Sequence, residues 1–309
     1  NGMRDIPPRQ AREPYLVDLR SAGHLVIAGS ARSGRSTALR NLAGLLARST
    51  PSADLHVYAF DCTGGSLGAL ASLPHCGAVV TTHEPDRARR LVRLLTGELL
   101  RRQQILATEG FGSVDEQRRA GSSPLPHVVV LVDGWEAFVS AFDDVDAGAV
   151  IDGIFRLLRE GATAGIHVVT TADRAGLVGR LASTVENRLV LRLADRTDFT
   201  LAGIPVRAVP PNLPAGRGFG AGDSTETQLC LLDPDPSGAA QLRAISDIAT
   251  AANARDTHLP RSSRPRRVDP LPTRIGLNAA STGRLAPSHR TNSSSAELVL
   301  GVGGDELDA

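Results

Sequence analysis

The chain has 309 residues, 41% hydrophobic and 22% charged, so it is long enough for one large or two small domains. Its net charge of +1 gives no global field that would attract nucleic acid, and no apolar run approaches the roughly 20 residues of a membrane-spanning helix. The three cysteines lack Cys-x-x-Cys spacing, which predicts a reducing compartment without zinc or disulfides. We therefore expect a soluble, cytoplasmic piece, although a parent chain could still be anchored in a membrane.

Apolar runs alternate with helical stretches over residues 16–236. This pattern predicts an α/β fold with a mostly parallel sheet. The expected strands are Leu25–Ala28, Leu55–Phe60, Ala78–Val80, Pro126–Val132, Ile166–Thr171, Leu189–Leu193 and Gln228–Leu232. The expected helices are Ala38–Arg48, Pro85–Ala107, Val150–Glu160 and Ala239–Ala252.

The first expected strand leads into a glycine-rich segment that resembles a phosphate-binding loop, and a helix follows directly. Two glycines five residues apart let the backbone curl so that its N–H groups face phosphate oxygens, and the helix adds its positive N-terminus. We predict that this segment binds ATP. The predicted nucleotide-binding residues are Gly29, Ser30, Ala31, Arg32, Ser33, Gly34, Arg35, Ser36 and Thr37.

Arg35 stands where this motif places a lysine that reaches the β- and γ-phosphates. The chain contains no lysine, so all 34 basic residues are arginine, and Arg35 could reflect a biased composition. The two side chains still differ, because guanidinium is a planar fork and ammonium a compact point charge. Arg35 alone does not decide whether nucleotide is hydrolysed.

The apolar run Val128–Val132 ends in Asp133, the pattern of a Walker B motif. The carboxylate of Asp133 would hold Mg²⁺ from the next strand, often through water, together with the hydroxyl of Ser36. The alternative is a core strand that ends in a capping aspartate. The phosphate-binding loop in the same chain favours the Walker B interpretation.

Several further stretches occur in the order found in one known family. They are Leu73-Pro-His75 with Val79-Val-Thr81, Glu98 to Gln104, Gly165 to Arg174, Arg188 to Arg192, and Pro214 to Gly218. Over residues 1–250 the chain thus resembles the FtsK/SpoIIIE family of ring-forming translocase ATPases. The resemblance implies a RecA-like P-loop NTPase fold, with a mostly parallel sheet and helices on both faces.

The chain departs from that family pattern at four expected active-site positions. Besides Arg35, Gly134 replaces the acid expected directly after Asp133, Asp173 replaces the sensor glutamine, and Thr200 replaces an arginine. Without a residue that orients water, nucleotide would bind and persist. Glu136 could substitute for the missing acid, but we favour a solvated or interface acid, and we predict no catalytic residue.

Arg188 and Arg192 are candidate arginine fingers toward a neighbouring subunit. The alternative, that they are solvent-facing arginines at a strand edge, is at least as good an explanation of the pattern.

Three segments are expected along the chain. Residues 1–252 form the ATPase domain, and residues 253–295 form an Arg/Ser/Pro-rich linker or an extension packed on the surface. Residues 296–309 look like the start of a following module, as in a longer tandem protein.

Three functions remain open at this stage. The resemblance extends to the EccC-type motor of actinobacterial type VII secretion, which favours a degenerate module that binds ATP and Mg²⁺ with weak or no hydrolysis. Its partners would be other modules in the same chain or ring and a secreted protein, with a membrane reached only through the parent chain. The alternatives are an active translocase that grips duplex DNA, and a non-enzymatic docking module whose pocket binds a partner peptide.

Overall fold

A computed structural model describes residues 2–6, 10–16, 18–121, 123–223 and 225–271. The chain divides into two compact units, Asn1–Arg267 and Val268–Ala309. Of the second unit only residues 268–271 are described. The predicted following module at 296–309, and most of the predicted linker, therefore lie outside the described residues.

The described strands of the first unit form a single ten-stranded sheet in the order β2-β1-β10-β9-β8-β3-β7-β6-β4-β5. The strands are β1 (Gly2–Ile6), β2 (Ala11–Tyr15), β3 (Leu25–Ala28), β4 (Leu55–Asp61), β5 (Cys76–Thr81), β6 (His127–Asp133), β7 (Ile166–Ala172), β8 (Arg188–Leu191), β9 (Arg217–Gly220) and β10 (Glu226–Leu229).

The sheet has a parallel half and an antiparallel half. The six strands from β5 to β8 are parallel, as predicted, and they carry the motifs. The four strands from β9 to β2 are antiparallel to their neighbours. The link between β9 and β10 is too short for the crossover that a parallel pair needs. The strand expected at Gln228–Leu232 belongs to this half and ends at Leu229.

The α-helices are α1 (Leu19–Ala22), α2 (Arg35–Ser49), α3 (Pro85–Glu109), α4 (Val114–Ala120), α5 (Trp135–Phe142), α6 (Ala149–Glu160), α7 (Gly179–Thr184) and α8 (Gly238–Arg255). Within the described residues, none of them combines the length and apolar character needed to cross a membrane.

Helices cover both faces of the parallel half, as predicted, because successive strand side chains point to opposite sides. On one face, Leu131 and its alternate neighbours pack with Leu39 of α2 and Ile245 of α8 in one buried cluster. On the other face, Phe60 of β4 contacts the ring of Phe138 in α5, with ring centroids 5.1 Å apart. Both clusters support the strand ends that carry the motifs.

The predicted domain boundary at residue 252 falls inside α8, which continues to Arg255. Residues 256–267 still belong to the first compact unit. They pack on it through backbone carbonyls: the Tyr58 hydroxyl donates to the Arg266 carbonyl at 3.0 Å, and a ring nitrogen of His56 lies 3.3 Å from the Ser263 carbonyl. This part of the Arg/Ser/Pro-rich segment is therefore an extension packed on the domain surface.

A buried ion pair anchors α3 to the start of β7. The Arg102 side chain is 1% exposed, donates to Glu98 at 2.7 Å, and donates to the Ala164 carbonyl at 2.9 Å. Burial alone would raise the pKa of Glu98, but hydrogen bonds and charges from Arg101 and Arg102 outweigh it and hold the pKa at about 2. The Glu98–Arg102 pair thus positions the strand that leads into the site.

We predict that Arg102→Leu lowers the free energy of unfolding by about 3 kcal/mol or more, because it leaves Glu98 without its buried partner. Arg101→Leu is the matched control: this side chain contacts the same Glu98 but is 46% exposed, so its loss should cost less than about 1 kcal/mol. Urea unfolding of the three proteins measures the difference. Equal losses would contradict the assignment.

The same ion pair predicts a pH dependence. Because the folded pKa of Glu98 lies below its ordinary value, its stabilisation is present at neutral pH and is lost as pH falls from about 4.5 toward 2. Arg102→Leu should therefore flatten the acid limb of stability against pH relative to wild type. An unchanged acid limb would exclude this pair as its source.

Candidate functional site

The predicted phosphate-binding segment forms a loop between β3 and α2. The Gly29 amide donates to the Ala172 carbonyl at 3.0 Å, and the Ser30 amide donates to the Arg192 carbonyl at 2.8 Å. Both strands that flank β3, namely β7 and β8, thus hold the start of the loop. Arg32 at φ 60° supplies one left-handed bend inside it.

Gly34 ends the loop and caps α2 in a left-handed conformation at φ 102°, without a side-chain cap. A Cβ on Gly34 would lie 2.9 Å from the amide nitrogen of Gly216, which itself donates to the Ser33 carbonyl at 2.8 Å. Only glycine fits this close approach. The uncapped first turn, with Arg35, Ser36 and Thr37, leaves backbone N–H groups for an anionic ligand.

Asp133 lies at the carboxyl end of β6, fully buried. We expected Asp133 on the strand next to the one that leads into the loop. In the sheet, however, β7 lies between β3 and β6. The Asp133 carboxylate accepts hydrogen bonds from Thr171 on β7 at 2.6 Å, from Ser66 at 2.7 Å, and from Thr63. It therefore ties the loop after β4 to the strand beside the phosphate-binding loop.

Gly134 has a left-handed backbone at φ 84° and caps the start of α5. A Cβ built on Gly134 would overlap the Cγ2 methyl group of Thr63. Thr63 thus occupies the space that a side chain at position 134 would need, while its hydroxyl binds Asp133. The glycine at position 134, where the family has an acid, and the methyl group of Thr63 beside it thus belong to one packing arrangement.

The structure brings Glu136 and Asp173 together. The Asp173 amide donates to the Glu136 carboxyl at 2.9 Å, and the two carboxyl groups share a hydrogen bond. Burial, and then the hydrogen bond to Asp173, raise the pKa of Glu136. That hydrogen bond is the main cause that lowers the pKa of Asp173, and the nearby charge of Arg35 adds to it. Glu136 therefore faces the sensor position.

Arg40 is a positive group of the site that the motifs do not indicate. Its guanidinium is buried on α2 and lies 3.5 Å from the Ser66 carbonyl. Burial lowers the pKa of Arg40, whereas the charge of Asp133 opposes that shift. Arg40 therefore places a positive charge near the Asp133 carboxylate.

The oxygen donors of the site suit Mg²⁺, since Ser36 offers a hydroxyl and Asp133 a carboxylate. The Asp133 carboxylate already accepts hydrogen bonds from three hydroxyl groups. Water bound to the ion would therefore have to replace one of these hydroxyl groups as a donor to Asp133. Two of these donors, Thr63 and Ser66, lie in the loop after β4, and the third, Thr171, lies on β7. Ser36 and Asp133 remain the residues predicted to hold the ion.

The two arginine-finger candidates have different positions. Arg192 follows β8 and donates to the carbonyls of Ala31 at 3.4 Å and Arg32 at 3.1 Å, so it braces the phosphate-binding loop. Arg188 pairs with Val26 at the other end of β8 and donates to the Val185 carbonyl. Contact of either arginine with a neighbouring subunit stays a prediction.

Thr200 lies exposed in a short helical turn and donates to the Thr197 carbonyl at 2.6 Å. In the same turn, Asp198 forms an ion pair with Arg174 at 3.0 Å. An arginine from another segment thus contacts the turn from which the family arginine is absent.

Sequence reasoning missed Thr63, Ser66, Thr171 and Arg40. One signal was available for the loop residues, because Thr63 and Ser66 follow a parallel strand at its carboxyl end, where ligands of such sheets bind. Arg40 carried no signal, since a buried arginine in the middle of a helix is not distinguishable from the many exposed ones.

Comparison with known proteins identifies relatives. The sequence model of the FtsK/SpoIIIE family matches residues 2–218. The chain is 31% identical over 223 residues to the ESX-1 secretion system protein EccCb1 of Mycolicibacterium smegmatis, covering 69% of this chain and 37% of that protein. It is also 31% identical to the ESX-4 secretion system protein EccC4 of Mycobacterium tuberculosis, covering 80% of this chain and 20% of that protein.

Two solved structures extend the comparison. EssC (ATPases 2 and 3) from Geobacillus thermodenitrificans superposes with a TM-score of 0.80 at 21% identity, covering 94% of this chain and 54% of that chain. Thermomonospora curvata EccC (ATPases 2 and 3), in complex with a signal sequence peptide, gives 0.73 at 29% identity, covering 88% and 49%. The chain thus spans well under two thirds of these relatives.

We predict that Gly134→Ala destabilises the fold by about 2–4 kcal/mol, the sum of left-handed strain and overlap with Thr63. In a Thr63→Ser background, which removes the methyl group and keeps the hydroxyl, only the backbone part of about 1–2 kcal/mol should remain. Urea unfolding of the four proteins gives the coupling energy. A coupling of zero would contradict the packing of Thr63 on Gly134.

Proposed function

The chain belongs to the FtsK/SpoIIIE family, and we propose that it is a nucleotide-binding module of a type VII secretion motor that hydrolyses ATP weakly or not at all. The observation that carries this proposal is the pairing of Gly134 with Thr63. It removes the water-orienting acid and fills the space beside Asp133 that such an acid would need.

Binding is supported by the intact geometry of the loop. The two glycines, the uncapped first turn of α2 and the brace from Arg192 hold a backbone cradle open toward a phosphate group. Arg35 supplies a permanent positive charge in that turn, with a fork of donors suited to phosphate oxygens. When bound, Mg²⁺ would neutralise phosphate charge next to Ser36 and Asp133.

Weak turnover is supported by the state of the acids. Phosphoryl transfer depends on oriented water and on neutralised charge at the γ-phosphate. Glu136 is half-buried, and its raised pKa together with the bond to Asp173 engages it in a carboxyl pair. We therefore assign Glu136 to positioning of the sensor loop and not to activation of water.

The cargo proposed for the whole motor is a secreted protein. The EccC of Thermomonospora curvata was solved with a signal sequence peptide, and that structure matches most of this chain. By analogy, the module would act beside other ATPase modules of the same chain or ring, on the cytoplasmic side of a membrane that anchors the parent protein. No described residue of the chain specifically favours duplex DNA over this cargo.

The expected result for the intact chain is saturable ATP binding with hydrolysis at background. Gly34→Val should abolish binding, because its side chain would collide with Gly216. Gly121→Val is the matched control, since Gly121 has a similar positive φ of 82°, with open space around it and a place at the end of α4. Calorimetric titration and phosphate release measure the two quantities.

Restoring the missing groups tests why hydrolysis is weak. Arg35→Lys with Gly134→Glu alone should gain little, because Thr63 obstructs the new side chain, whereas adding Thr63→Ser should raise the hydrolysis rate by about tenfold or more. Brisk hydrolysis by the wild-type chain would exclude the proposal. Absence of any nucleotide binding would favour the docking module, and DNA-stimulated hydrolysis with salt-sensitive duplex binding would favour the translocase.

A further inference from the structure

A cleft opens directly beside the phosphate-binding loop, between the first turns of α2 and the end of β10 with the residues that follow it. Its volume is about 160 Å³, and its walls include Gly34, Thr37, Ala38 and Asn41 on one side and Gln228 and Cys230 on the other. Pockets that enclose a whole ligand measure about 300–1,000 Å³. This cleft therefore suits one part of a ligand whose remainder lies elsewhere.

Asn41 is the group in this cleft with an unmet bonding requirement. It is 5% exposed, and its amide nitrogen donates to the Cys230 carbonyl at 2.7 Å. Its side-chain oxygen is buried and has no hydrogen-bond partner within the described residues. A flipped amide would set two oxygens against each other at Cys230, so the free group is the acceptor. A buried acceptor of this kind calls for a donor.

The position of Asn41 indicates which part of a nucleotide supplies that donor. Asn41 lies one helical turn beyond Thr37, roughly 5–6 Å further along α2 from the phosphate-binding turn. The cleft begins at Gly34 and Thr37, so a nucleotide whose phosphates bind at residues 29–37 can extend its nucleoside into it. The cleft is thus placed to receive the base.

We propose that Asn41 selects the base of the bound nucleotide, its side-chain oxygen accepting a hydrogen bond from the 6-amino group of adenine. Guanine presents a carbonyl oxygen at the same ring position, so it would face Asn41 acceptor to acceptor. This inference rests on the proposed function that the loop binds nucleotide, and it adds the residue that makes the site specific for adenine.

The test compares three ligands on the intact chain by competition titration: ATP, GTP, and purine riboside triphosphate, which is ATP without the 6-amino group. Wild type should bind ATP about tenfold more tightly than purine riboside triphosphate, and GTP more weakly still. This comparison changes only the ligand, so it does not depend on how a variant folds.

The variant arm uses Asn41→Leu, which removes the acceptor at similar volume. Its affinity for ATP should fall about tenfold, and its preference for ATP over purine riboside triphosphate should fall to about one. Asn253→Leu on α8 is the matched control, because this exposed asparagine bonds to the Ser72 carbonyl away from the loop and should leave the preference unchanged.

The outcomes separate this inference from the proposed function. Equal wild-type affinity for ATP and purine riboside triphosphate would overturn the inference while leaving nucleotide binding in place. Failure of wild type to bind any of these triphosphates would instead overturn the proposed function.

Discussion

The buried carboxylate of Asp133 is the constraint on which the rest of the site depends. A buried charge is stable only when donors satisfy it, and three hydroxyl groups from β7 and from the loop after β4 do so here. The bond from Thr63 holds this residue next to the carboxyl end of β6. The same contact fills the space that a side chain at position 134 would need, so the anchoring of the loop and the glycine after Asp133 belong to one packing arrangement.

The sequence predicted the parallel half of the fold and its motifs well, because their signals are local. A strand, two glycines and a helix identify the loop, and an apolar run ending in Asp133 identifies the neighbouring acid. In the antiparallel half only the strand at Gln228–Leu232 was expected, whereas β1, β2 and β9 were missed, because they are short and polar, as in Arg217–Gly220, and depend on pairing with distant partners. Local propensity does not encode that pairing.

The limits of sequence reasoning at the site are similar. Gly134 stood out as a departure from the family pattern, but Thr63 did not, because nothing local connects residues 71 positions apart in the chain. Similarly, the sequence shows Arg35 only as a substitution for lysine, whereas the structure places its charge near Asp173. For two of the four departures the structure shows a neighbouring group that matches the change. Thr63 fills the space next to Gly134, and the charge of Arg35 acts on the carboxylate of Asp173.

A nucleotide that is bound and not cleaved acts through binding energy alone. Such a ligand shifts an assembly only by the difference in its affinity for two states. In this fold the loop contacts the antiparallel half through Gly216, and the adjoining cleft is walled by residues from both α2 and β10. A nucleotide seated there would bridge the two halves of the sheet. Its affinity would therefore depend on how β9 and β10 are held against α2.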